Sequence, residues 1–286
     1  GTSRSGWGCS GLYRSCRSRS SLQDYGSATQ LFVRSNRISN LRRINVSSGR
    51  PLEPLANYSR ALRVGDMVLQ SGTTAIDRQG NVIGEGDVAM QVDAIMDIAA
   101  GTMGQAGGTF DDVVRARIYV TDISLADQAG RAFAKFFRDV RPAATLVPVS
   151  RLARPTQLIE IELDAVDGAK QTAQRISSGT PTEDLYAYSR AVRVDDRAFI
   201  SGTTAQTERG GVSHPGDLQA QAQDTFETIL EALDQAGGVP GDLVFTKTFV
   251  TDLKLGPSQI EARPASLGKI RPTATLIVVP ALIMPD

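Results

Sequence analysis

One stretch of this chain occurs twice, and the copies lie 130 residues apart. Arg141-Pro142-Ala143-Ala144-Thr145-Leu146-Val147 returns as Arg271-Pro272-Thr273-Ala274-Thr275-Leu276-Ile277. The same offset carries Tyr58-Ser59-Arg60-Ala61 to Tyr188-Ser189-Arg190-Ala191, and Ser71-Gly72-Thr73-Thr74-Ala75 to Ser201-Gly202-Thr203-Thr204-Ala205. Gln105-Ala106-Gly107-Gly108 and Val120-Thr121-Asp122 recur in the same way. Solenoid units run about 20–50 residues, so a period this long is a duplicated domain. The expected division is an Arg/Ser-rich tail at 1–45, a first domain at 46–167, a linker at 168–184 and a second domain at 185–286. Pro155 corresponds to Pro285, so the second domain is expected to lack a closing strand.

The hydrophobic pattern gives the elements of each copy. Leu62-Arg63-Val64 and Met67-Val68-Leu69-Gln70 flank Gly65-Asp66, which is a hairpin signal. A helix is predicted from Asp87 to Gln105, with Asp87 as its N-cap and Gly107-Gly108 as its stop. Its apolar positions recur at helical spacing in both copies with different residues, which marks a core stripe. Val114, Ala116, Ile118 and Val120 alternate with polar residues and read as a half-buried strand. A second helix follows over Leu125 to Arg138. Its counterpart contains Pro257 and Pro264, so it is expected to be shorter or displaced. Strands are predicted at Thr145–Val149 and Leu158–Leu163. The order β-β-α-β-α-β-β predicts an α+β domain, one mixed sheet with both helices on one face.

The rare residues narrow the chemistry. His214 is the only histidine, which excludes a Ser-His-Asp triad in each copy and a histidine-rich metal site. It sits in Ser213-His214-Pro215-Gly216-Asp217, which reads as a turn. Cys9 and Cys16 lie outside both copies, so neither domain has a cysteine nucleophile or a disulfide. No metal or cofactor is expected. Lys+Arg and Asp+Glu are equal at 31 each, so no global field draws the chain to nucleic acid or an anionic membrane. Residues 1–45 are acid-poor and fit either an organellar transit peptide or a disordered extension. The protein is expected in the cytoplasm, or in an organelle if that segment is a transit peptide.

Tyr-Ser-Arg-Ala, Ser-Gly-Thr-Thr, Ala-Gly-Gly, Val-Thr-Asp, Arg-Pro-Ala-Ala-Thr and Ile-Glu-Ile-Glu stand here in the order of the RidA (YjgF, L-PSP endoribonuclease-like) family, which the chain resembles twice over. The resemblance implies a chorismate-mutase-like fold and trimers with pockets in the clefts between neighbours. Three two-domain chains would then form two stacked rings. It implies hydrolysis of small reactive enamines and imines to keto acids and ammonia. Some members have been described as ribonucleases or translation inhibitors. Carried over by position, the pocket includes Tyr58, Ser71, Gly72 and Glu160, with Ala144 and Thr145 on the Arg-Pro strand. The family's deaminases place an arginine where Ala144 and Ala274 stand, and an asparagine common in the pocket falls at Gly130.

Imine hydrolysis needs a carboxylate anchor, for which the arginine fork is best suited. It also needs a carboxyl group that moves protons to and from water. Glu160 is the candidate acid/base. On a strand it shares a face with Glu162, so a polar sheet face covered by a neighbour is the competing reading. Arg60, close to Tyr58, is the candidate replacement anchor, against a plain ion pair across the hairpin. Ser71 has no histidine base and is read as a hydrogen-bond donor. Three functions follow: an enamine/imine hydrolase of altered specificity, a non-catalytic trimeric module that binds small carboxylate metabolites, and, last, an L-PSP-type endoribonuclease. The last lacks a basic cluster with interleaved aromatics.

Overall fold

The computed structural model describes residues 41–207, 210–252, 254 and 256–284. The tail therefore lies outside the described residues as far as residue 40. Its last residues are not tail: β1 (Arg43–Val46) pairs antiparallel with β2 (Ala61–Val64). A five-residue helix, α1 (Leu52–Ala56), connects them. The alternating pattern is too short in β1 to stand out in the sequence.

The first repeat continues with β3 (Met67–Thr74), α2 (Val88–Gln105), β4 (Val113–Val120), α3 (Ala126–Phe137), β5 (Ala143–Pro148) and β6 (Ile159–Val166). They form one mixed sheet in the order β1-β2-β3-β6-β4-β5, in which only β4 and β5 run parallel. The hairpin turn is where the sequence places it, with Gly65 at φ 62°. Asp87 caps α2, accepting from the amides of Ala89 and Met90. Val92, Met96 and Ala99 of α2 and Phe133 and Phe137 of α3 join Ile159, Ile161 and Leu163 of β6 in one core. Burial of these side chains, worth about 1.5–3 kcal/mol each, fixes which face of the sheet the helices cover. The opposite face of β6 carries Glu160, Glu162 and Asp164.

Residues 168–184 are not a linker. They form α4 (Ala169–Thr172), β7 (Gln174–Ile176) and most of α5 (Pro181–Tyr186). β7 pairs with β8 (Ala191–Val194), and β8 with β9 (Arg197–Ile200). The polar composition of this segment concealed a strand of only three residues. α6 (Leu218–Gln235), β10 (Phe245–Val250), α7 (Gly256–Leu267) and β11 (Thr273–Val278) follow.

The expectation of a shortened second helix is wrong. α7 has 12 residues, as α3 does, at the same offset. Pro257 falls in the first turn, where a helix needs no intrahelical N–H, and the helix carries Pro264 in its interior. The sheet does differ. β7-β8-β9 and the parallel pair β10-β11 are separate, and among the described residues no strand joins β9 to β10. Among the described residues no helix is long and apolar enough to cross a membrane.

Candidate active site

The local structure starts from a buried acid that the motifs did not single out. Glu53 of α1 is 3% exposed. Both its oxygens are engaged: Ser47 and Ser48 donate through their hydroxyls, the Ser48 amide at 2.8 Å, and Arg60 Nε at 3.1 Å. Burial pushes the Glu53 carboxyl up, but the hydrogen bonds from Ser47, Ser48 and Arg60 outweigh it and hold the group below the usual carboxylate range. The signal was present in the sequence. Ser47-Ser48 and Glu53 recur as Ser177-Ser178 and Glu183 at the common offset, and Glu183 is held by the same serines and by Arg190 at 3.4 Å.

Arg60, expected as a free substrate anchor, is instead buried and spoken for. Besides Glu53 it donates through Nη1 to the Gly72 carbonyl at 2.6 Å and to Thr73 Oγ1 at 3.3 Å, and through Nη2 to the Tyr58 hydroxyl at 2.6 Å. Its guanidinium lies 5.1 Å from the centre of the Tyr58 ring. The fork therefore ties α1, Tyr58 and the bulge of β3 at Gly72 into one unit. The Ser71 hydroxyl donates to the Ser59 carbonyl at 2.8 Å, so it has a partner and no base.

Glu160 stands over this unit. A Cβ on Gly72 would lie 1.9 Å from its Oε1, so only glycine leaves room for the carboxyl there. The register explains why Glu160 differs from its neighbours. Asp164 faces Arg115 and Glu162 faces Arg117 across β4, but Glu160 faces Tyr119. Arg115 and Arg117 both hold Asp164, and Arg117 also holds Glu162. Glu160 has no hydrogen-bond partner among the described residues. Burial raises its pKa, the nearby Glu162 raises it further, and Arg60 pulls it partly back. An unpaired, half-buried carboxyl with its pKa raised by burial is a recurrent feature of proton-transfer sites.

Tyr58, Arg60, Ser71, Gly72 and Glu160 thus come together. Ala144 and Thr145 do not join them. They lie on β5, two strands from β6 and so about 9.5 Å away across the sheet. They meet the second repeat instead. The Ala144 amide donates to Ser201 Oγ at 2.8 Å, and the Gly202 amide donates to the Ala144 carbonyl at 2.9 Å. Gly202 packs so closely on Thr145 that a Cβ would come within 3.0 Å of Thr145 Cγ2. The seam therefore sets the Arg-Pro strand of one repeat on the Ser-Gly bulge of the other. Gly130 is also part of it: a Cβ there would lie 2.6 Å from the Tyr186 ring, which leaves no place for asparagine.

Comparison with known proteins agrees with the duplicated fold. The family model described as Endoribonuclease L-PSP matches residues 49–167 and again 181–286. A RutC family protein of Sulfurisphaera tokodaii is 33% identical over 109 residues, which are 38% of this chain and 86% of the relative. The uncharacterized protein SCO2049 of Streptomyces coelicolor is 33% identical over 125 residues, 43% of this chain and 92% of that one. Among solved structures, Rv2704 of Mycobacterium tuberculosis, described as a member of the YjgF/YER057c/UK114 family, is 42% identical, with a TM-score of 0.39 over 44% of this chain and 99% of that one. With both halves matched and the motifs in register, this chain belongs to the endoribonuclease L-PSP (RidA/YjgF) family, its domain present twice.

Proposed function

We propose that the chain is a hydrolase of small reactive enamines or imines, and that Glu160 is its acid/base. The observation that supports this most is the Glu160 carboxyl, held over Gly72 with no partner while its two neighbours on β6 are neutralised by arginine. In the proposed reaction Glu160 takes a proton from water as the oxygen adds to the C=N carbon. It returns the proton to nitrogen to give a carbinolamine; the same carboxylate then passes the hydroxyl proton to nitrogen as the C–N bond breaks and the C=O bond forms, releasing ammonia and a keto compound, an enamine reacting as its imine tautomer. The Tyr58 hydroxyl is fixed by Arg60, which also ties it to the β3 bulge beneath Glu160. No metal is called on.

We further propose that chains associate through the contact seen within the chain. That contact is head to tail. The Ser71-Gly72 bulge and the outer edge of β11 are its unmatched halves, since among the described residues β11 pairs only with β10. Repeating a heterologous contact closes a ring or grows a filament. The repeats of one chain are neighbours edge to edge, and three chains joined by the same contact would make a homotrimer of six domains. A partner's β11 on Ser71-Gly72 would bring Ala274 and Thr275 beside Glu160.

Ammonia release from a panel of imino acids tests the reading. Wild type should release it faster than the spontaneous rate, and Glu160→Gln should lose at least about tenfold in kcat. Equal rates for the two proteins would dismiss Glu160. One observation weighs against turnover of a carboxylate substrate and so favours the non-catalytic reading: Arg60 is already occupied and alanine stands where the family's deaminases have arginine. Saturable binding of keto acids without turnover would decide for that reading.

A further inference from the structure

We propose that Thr74 positions the attacking water, holding it between its own hydroxyl and the carboxyl of Glu160; this rests on the hydrolase reading above. Thr74 is the residue of β3 that lies opposite Glu160 in the register of β3 and β6. Side chains alternate along a strand, and directly opposed residues share a face with their Cβ atoms about 5 Å apart. What surrounds each residue assigns the faces. Thr73 is 1% exposed and opposes Ile161 of the core, whereas Thr74 is half-buried. Gly72, two residues before Thr74, is on the Glu160 side too, since a Cβ there would meet the Glu160 carboxyl. The carboxyl thus leans over β3 with the Thr74 side chain beside it.

Hydrogen bonding gives the hydroxyl its direction. The buried Gln157 is committed at both ends of its amide. Its Oε1 accepts from the Arg154 amide at 2.9 Å, and its Nε2 donates to Thr74 Oγ1 at 2.9 Å. A backbone N–H is a donor only, so the Gln157 oxygen must face Arg154 and its NH2 must face Thr74. Thr74 is therefore an acceptor toward Gln157 and keeps its own proton for another partner. Among the described residues that proton has none, nor has the Glu160 carboxyl, and the two groups are not bonded to each other. A donor and an acceptor stand unmatched on one face, one strand apart. A single water satisfies both, accepting from Thr74 and donating to Glu160. Its second lone pair then remains to attack the C=N carbon as Glu160 takes the proton. Ser71 cannot share this role, because its hydroxyl is donated to the Ser59 carbonyl.

Thr74→Val keeps the shape and removes the hydroxyl, whereas Thr74→Ser keeps the hydroxyl. With imino acids as substrates, Thr74→Val should lose at least about tenfold in kcat while KM stays within about twofold. Thr74→Ser should stay within about threefold of wild type in both. Valine also leaves the Gln157 amide without its acceptor, so the melting temperature should fall, and kcat is read well below the melt. Thr74→Ala repeats the test should the valine variant not fold. The decisive comparison is the same substitution made in Glu160→Gln. There it should lower kcat by less than about twofold, because a water that no carboxylate deprotonates gains little from being aimed. A merely structural Thr74 would cost the same factor in both backgrounds, and that result overturns the proposal. Wild-type kcat in Thr74→Val, with Glu160→Gln slow, overturns it too and leaves the hydrolase reading standing. Wild-type protein no faster than the spontaneous rate removes the hydrolase reading, and this assignment with it.

Discussion

Replacing Arg60 by alanine should destabilise the first repeat, with its pocket lost only as a consequence. The guanidinium makes four hydrogen bonds and its side chain is 8% exposed, against 2% for that of Glu53. Removing one member of a buried ion pair costs about 3–5 kcal/mol, because the other charge stays behind. Glu53 keeps its three donors from Ser47 and Ser48, which argues for the lower part of that range. The Gly72 carbonyl and the Tyr58 hydroxyl lose donors worth about 1 kcal/mol each, which brings the total to about 5 kcal/mol. Arg131→Ala is the control. That arginine is 58% exposed in an i,i+4 pair with Asp127, a solvent-screened surface pair that contributes little. Urea unfolding, with hydrogen exchange read at β1, β2 and β3, measures both. Glu53 has a folded pKa below its unfolded value, so the pair stabilises fully above the unfolded pKa. That stabilisation is lost as pH falls through the folded one. The gap between wild type and Arg60→Ala should therefore narrow in acid. A loss under about 1 kcal/mol, together with abolished carboxylate binding, would refute this reasoning and restore Arg60 as an anchor.

Two further substitutions bear on the site. The folded pKa of Glu160 is raised, chiefly by burial, so the folded state holds its proton more tightly than the unfolded chain and the charged form opposes folding. Glu160→Gln should therefore melt higher than wild type at pH 7. The gain should vanish below about pH 4, where both states are protonated; a lower melting temperature at pH 7 would count against an unpaired carboxylate. Gly130→Ala should cost about 1–3 kcal/mol, because its Cβ would meet the rigid Tyr186 ring at 2.6 Å. The added Tyr186→Ala change should recover part of that loss in thermal melts.

Much of the first repeat could be read from the sequence because its signals are local. Gly65 needs a left-handed backbone, Asp87 caps its own helix, and β4 alternates from Val114 to Val120. Glu160 was legible through its spacing from Glu162, but its distinction from Glu162 was not. That depends on which residue of β4 each one faces, and cross-strand register is a long-range property. Arg60 was misread for the same reason. Its partners lie 2 to 13 residues away in sequence, on α1, on β3 and in the loop after α1. β1 and β7 escaped notice because strands of four and three residues carry too little periodicity. Ala144 and Thr145, read as pocket residues, lie instead at the seam against Ser201 and Gly202, a contact between repeats that no single-domain reading of the motifs brings together.

The duplication has kept the scaffold and divided the roles. Both repeats hold the serine-clasped glutamate and its arginine, and both arginines donate to the carbonyl of a Ser-Gly bulge. What each bulge meets is different. Gly72 faces the unpaired carboxyl of Glu160, whereas Gly202 is pressed against Thr145 and its neighbour Ser201 receives the Ala144 amide. The tyrosines follow suit: Tyr58 is held by Arg60, but Tyr188 hydrogen-bonds Thr182. Glycine leaves room at both positions, once for a carboxyl and once for a neighbouring strand. If a ring forms by repeating the seam, a partner strand arriving at Gly72 meets a position that Glu160 already overhangs. The two demands on that glycine then fall in one place, and the contact that builds the assembly also walls the cleft around Glu160.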